Sequence, residues 1–226
     1  MDNSIKNNKI VKYSLVCFII LMVIVTVVAA LFVNSTKKKS MAASIENITE
    51  EINSDILEMS KVSSEIAMSS NPYDYIKNSH GYDKLVELGV KAIPYIAEYL
   101  NESDAGLTSY ILAIAIEDIA DCSVYEAKGV DWCTSKEFVD AWNEFRTTSS
   151  DDISKIIKSD KATDEKVEEL KPYGVFVVPV IDKIEDERVT RGNMDNNTSD
   201  ISKLVEYRDS FKLNNQEVEF LRNYLN

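Results

Sequence analysis

Histidine occurs once in this chain, at His80, and cysteine three times, at Cys17, Cys122 and Cys133. A zinc site built on several imidazoles, or a Ser-His-Asp triad, would have to draw all its imidazole chemistry from His80, which sits in the polar loop sequence Asn78-Ser79-His80-Gly81. Glycine and proline are scarce as well, six and four in 226 residues. So few turn formers exclude a many-stranded β protein, and no glycine-rich loop is present to cradle a phosphate. What remains is rich in Ala, Glu, Ile, Leu, Lys and Asp, residues that suit helices, and the fold class read from the sequence is all-α.

Basic charge is lacking over most of the length. Six lysines (Lys6, Lys9, Lys12, Lys37, Lys38, Lys39) stand against Asp2 in residues 1–40, so the formal net charge of -13 leaves about -18 for residues 41–226. A field of that sign repels phosphate backbones and anionic lipid surfaces, which excludes nucleic acid as a partner. It serves either as solvated helix surface or as a docking face for a basic partner.

Long apolar runs are absent except for one. LVCFIILMVIVTVVAALFV, Leu15 to Val33, carries no charge, and its length approaches the roughly 20 residues that cross a hydrocarbon core. The expectation is a single-pass transmembrane helix over 15–33, preceded by a short basic cytoplasmic tail at 1–14. A cleaved signal peptide is the rival, with Val28-Ala29-Ala30 as a small-residue cleavage site and a secreted product. Lysines flank the run on both sides. The extra α-amino charge at the N-terminal flank favours that end inside, which would make the C-terminal domain extracytoplasmic at the cell membrane. In an oxidising compartment Cys122 and Cys133 could then form a disulfide.

Residues 34–70 read as a juxtamembrane helical stalk. Met41, Ile45, Ile48, Ile52, Met59, Val62 and Ile66 fall on heptad a and d positions, with Asp55 the one polar intruder at d. The seam formed by Ile45, Ile48, Ile52, Met59, Val62 and Ile66 fits either a parallel coiled coil that makes a homodimer or an amphipathic helix folded back on its own domain. Asn71 and Pro72 then cap and open the next element.

Residues 71–226 read as an acidic domain of about four helix pairs. Helices are expected over Tyr82–Leu88 and from Pro94 to about Leu100, then over Leu107–Ala120 and after the capping box Thr134-Ser135-Lys136-Glu137. A third pair is expected from Asp152–Lys158 and Asp164–Leu170 leading into Val175–Glu185, and a last from Ser199–Phe211 and Glu217–Leu225. Gly89-Val90 with Pro94 and Gly174-Val175 with Pro179 share one spacing, and Gly129-Val130 falls between them. The intervals lie within the about 40–47 residues of HEAT repeats.

LVELGVKAIPYIAEYL resembles a HEAT-like repeat of the PBS-lyase type, which carries Leu-Gly-x-x-Ala-x-Pro-x-Leu at the turn between helices. The resemblance extends over about residues 72–226, good in the first unit and fair in the third. Pro is missing in the second and fourth, where the loops are long, so a compact helical bundle is the alternative. The resemblance implies an α-solenoid whose stacked pairs bind protein, and implies no activity.

Residues with catalytic or metal-binding spacing are few. Glu117 and Asp121 stand at i, i+4, as paired carboxylates would, although such pairs are common on solvated helix ends. Asp195-x-Asn197-x-Ser199 with Glu206 imitates a calcium loop, but Asp200 occupies the place where the sharp turn needs Gly. No catalytic residue, cofactor or metal is expected. The sequence points to a membrane-anchored, non-enzymatic protein-binding or scaffold module of a bacterial cell envelope. Its alternatives are a sensory subunit signalling through its span and a secreted protein.

Overall fold

The computed structural model describes residues 2–62, 69, 71–77, 79–102, 106–191 and 198–225; within these, the side chains of 2–21, 30, 34, 59–62, 188–191 and 198–200 are not described. Every described element is helical, as the shortage of turn formers requires. The chain divides into two compact units, Met1–Ser44 and Ile45–Asn226.

The described residues of the first unit are helical and belong to α1 (Asp2–Val62). Its apolar side chains Met22, Val23, Ile24, Val25, Val27, Val28, Leu31, Phe32 and Val33 are exposed. Among the described residues no helix is long and apolar enough to cross a membrane. This corrects the expected span over Leu15–Val33, and with it the single-pass membrane localisation. The side chains of Leu15–Leu21 lie outside those described.

The second unit begins at Ile45, earlier than the expected domain start at residue 71. The C-terminal part of α1 belongs to it because Ile45, Thr49 and Ile52 are buried. Polar side chains on the same stretch reach the neighbouring helices. Asp55 accepts hydrogen bonds from the Ser79 hydroxyl and the Gly81 amide, at 2.8 and 3.1 Å. Thr108 donates to Asn53, and Lys84 pairs with Glu51 at 2.6 Å. A Cβ on Gly81 would lie 2.8 Å from the Ile52 backbone nitrogen, so this crossing accepts only glycine.

After α1 come α2 (Tyr73–Ile76), α3 (His80–Glu87), a 3-10 turn at Val90–Ala92 and α4 (Ile93–Glu102). Next are α5 (Leu107–Ala120), α6 (Val124–Lys128) and α7 (Ser135–Lys158). The chain ends with α8 (Thr163–Leu170), a 3-10 segment at Lys171–Phe176, α9 (Val177–Arg191), α10 (Thr198–Ser210) and α11 (Asn215–Tyr224). Helix α5 is the central one, with Ile111 to Ile116 all buried. Helix α7 starts at the capping box expected at Thr134 and Glu137. It continues to Lys158, so the segment Asp152–Lys158, expected as a separate helix, is the end of α7. Within it the buried Ser149 hydroxyl donates to the Phe145 carbonyl one turn back.

Two of the three Gly-Val corners share one conformation. Gly89 (φ 67°, ψ -169°) and Gly174 (φ 51°, ψ -135°) both leave a helix, enter a 3-10 turn and start the next helix with the proline in its first turn. Gly129 (φ 65°, ψ 20°) instead closes α6 as a left-handed C-cap, without a following helix. The pairs do not stack as a simple row, since α11 packs on the Val90–Ala92 turn as well as on α9.

Candidate functional site: a groove at the end of an aromatic ladder

Aromatic residues at helical spacing on α7 form the centre of the core. Phe138 and Trp142 have centroids 5.9 Å apart, and Trp142 and Phe145 5.4 Å. Phe145 meets Tyr173 at 5.8 Å and Phe176 at 5.5 Å, and Phe176 passes the contact to Tyr224 of α11. The Trp142 indole N–H donates to the Tyr224 hydroxyl at 3.1 Å. In the other direction the ladder leaves the core through Trp132, 4.9 Å from Phe138, and ends at Tyr110, 4.6 Å from Trp132.

At that end an open groove of about 400 Å3 is lined by Pro72, Gly106, Leu107, Tyr110, Cys133, Thr134 and Ser135. Three separate stretches meet there: the entry to α2, the first turn of α5 and the cap of α7. Asp131, two residues before the groove residue Cys133, accepts from the Trp132 amide. Along α5, two turns beyond Tyr110, come Glu117 and Asp118. The Tyr82 hydroxyl donates to Asp118. Glu117 accepts from the Val124 amide at 2.7 Å.

The phenols of Tyr73, Tyr82 and Tyr110 are all pushed upward in pKa, first by burial; Asp118 comes next at Tyr73 and Tyr82, whereas at Tyr110 Cys133 and Tyr73 come before the carboxylates. Asp118 and Glu117 act on Tyr73, and Asp131 and Glu117 on Tyr110. Burial raises Glu117 itself above the usual carboxylate value, against the lowering effect of the Val124 hydrogen bond.

The residues singled out from sequence take other places. Glu117 and Asp121 do not form a pair on one helix face, because Asp121 is the left-handed C-cap of α5 (φ 49°). His80 opens α3 under the Ser79 cap and is exposed. Cys122 and Cys133 are both free thiols. Cys122 is half-buried with its thiol enclosed, and burial pushes that thiol well above its ordinary pKa, while Cys133 is exposed in the groove. Of the expected seam, Ile45 and Ile52 are buried in the unit's own core and Ile48 is half-buried. The side chains of Met59 and Val62, and Ile66 altogether, lie outside the described residues, as do Asp195 and Asn197 of the calcium-like pattern. Among the described residues no three His, Cys, Asp or Glu side chains come together to hold a metal.

The groove was not legible from periodicity. Tyr110 and Trp132 are brought together only by the fold. No protein-family model, curated protein or solved structure matches this chain.

Proposed function

We propose that the unit from Ile45 onward is a non-enzymatic protein-binding module, with the Tyr110 groove as its contact site. The groove itself carries this reading: about 400 Å3, open, and walled by apolar, aromatic and hydroxyl side chains drawn from three stretches of chain. The acidic side chains beside it are engaged in holding structure. Glu117 caps α6 and Asp118 receives the Tyr82 phenol, and neither arrangement presents an acid-base pair to a substrate. The two matching Gly-Val-x-x-x-Pro corners support the HEAT-like reading, a build whose stacked helices serve binding.

The test compares the immobilised full chain with its Leu107→Arg variant, which fills the groove with a long cation. A protein retained by the first, lost by the second, and rebinding after purification is the expected result. The reading is overturned if every purified candidate binds both equally, or if the chain turns over a substrate and Glu117→Gln abolishes the turnover.

A further inference from the structure

We propose that the groove receives an extended, proline-rich peptide segment, whose backbone carbonyls accept hydrogen bonds from the Ser135 and Tyr110 hydroxyls while its rings pack on Tyr110, Leu107 and Pro72. This names the partner class of the protein-binding reading above and rests on it.

The chemistry starts at Ser135. It is the first residue of α7, lines the groove and is only 6% exposed, yet its hydroxyl has no hydrogen-bond partner among the described residues. Among those residues no fully enclosed side-chain oxygen or nitrogen lacks a partner, so the Ser135 hydroxyl is open on its groove side. A nearly buried hydroxyl in this condition is a place where a bound acceptor gains a hydrogen bond. The groups around it are engaged at the helix cap. Thr134 accepts from the Glu137 amide, and the Glu137 carboxylate accepts from the Cys133 and Thr134 amides. What Thr134 retains is its own proton. The Tyr110 phenol also has no hydrogen-bond partner among the described residues, and burial, then Cys133 and Tyr73, hold it protonated.

The wall is therefore built to donate. Tyr110, Thr134 and Ser135 bring hydroxyls, and no Asp, Glu, Asn, Gln or His side chain is among the lining residues. A segment that suits such a wall has carbonyls to offer and no amide hydrogens to satisfy. Proline provides this, because its nitrogen carries no hydrogen, and a polyproline II segment keeps its carbonyls unpaired and needs little ordering to bind. Its rings supply the apolar surface that Tyr110, Leu107 and Pro72 receive. A carboxylate could accept the same protons, but the exposed Glu137 carboxylate already stands at this helix start, held below its ordinary pKa first by the Cys133 amide, and the chain carries a formal net charge of -13. A neutral carbonyl meets no such repulsion.

The experiment titrates decaproline, acetylated and amidated so that it is uncharged, into the full chain by calorimetry. A Gly-Ser peptide and an alternating Pro-Glu peptide of the same length are the references. Tyr110→Phe with Ser135→Ala removes both hydroxyls and keeps the ring. Tyr125→Phe removes an exposed phenol on α6, outside the groove. Circular dichroism verifies the fold of each variant.

Decaproline is expected to bind more tightly than either reference, to lose about tenfold in affinity for the double variant and to lose less than about twofold for Tyr125→Phe. In the unsubstituted chain, saturating decaproline is expected to slow alkylation of Cys133, which lines the groove. Equal affinity for the double variant, an unchanged Cys133 rate, or tighter binding of the Pro-Glu peptide overturns the proposal, the last by making the site one for anions. A purified protein that distinguishes Leu107→Arg while decaproline fails to bind leaves the binding reading standing and removes the proline-rich segment. If neither binds, both fall.

Discussion

Three acidic side chains each join elements of the unit in a way a periodic pattern does not reveal. Asp55 looks like a flaw in an apolar seam; in the fold it is the acceptor for Ser79 and Gly81 at the start of α3. Glu117 looks like half of a carboxylate pair and caps α6 instead. Its pKa is raised, so the folded state gains stability as pH falls from neutral through that raised value toward the ordinary 4.5. Glu117→Gln retains an oxygen for the Val124 amide and is expected to flatten this part of the stability-pH curve, whereas Glu117→Ala should lose about 1 kcal/mol in urea unfolding at neutral pH. Asp152 behaves oppositely: burial pushes it up, but Lys128 and Lys155 overcome that and hold it below its ordinary 3.8. Its contribution is present above that value and is lost as pH falls through the lowered one. Since the Lys128 side chain is only 10% exposed, Asp152→Ala leaves a buried ammonium short of a partner and should cost about 2 kcal/mol by the same measurement. At the thiols, Cys133 is expected to react with a maleimide in the folded chain and Cys122 only after denaturation, read by peptide mass spectrometry.

Helices were the legible level, and their ends were more legible than their partners. The Thr134 capping box sits where its spacing places it, and Asn214 with Glu217 forms a second one at the start of α11. Gly89 and Gly174 mark real corners because only a residue without Cβ tolerates their backbone. Their local sequences match, yet their surroundings do not. A Cβ on Gly174 would lie 2.1 Å from the Ala120 and Asp121 carbonyl oxygens, while one on Gly89 meets nothing. Gly89→Ala should therefore cost about 1–2 kcal/mol from backbone strain alone. Gly174→Ala should cost about 3 kcal/mol or more, because two backbone segments must also separate. The course of α1 was legible as a helix but not as part of the folded unit, since a heptad of apolar residues fits a partner chain and an own core equally well. What decides it is long-range: Gly81 passing against Ile52, and Thr108 reaching Asn53. Ile52→Ala is expected to lose about 2–5 kcal/mol, and Leu57→Ala, at an exposed position of the same helix, less than about 0.5 kcal/mol.

Across the whole molecule, the scarcity of basic residues and the shortage of turn formers gave the class and sign of the surface, and neither located a site. The groove depends on three stretches that only the fold brings together. The measurement that tests the groove most directly is photo-crosslinking in the source cells, with benzoylphenylalanine at Leu107 and, as control, at Asp151. Adducts with a defined protein from Leu107, and none from Asp151, are the result this account predicts. Equal adducts from both positions, or adducts only from Asp151, would contradict it and move the contact surface away from the Tyr110 groove.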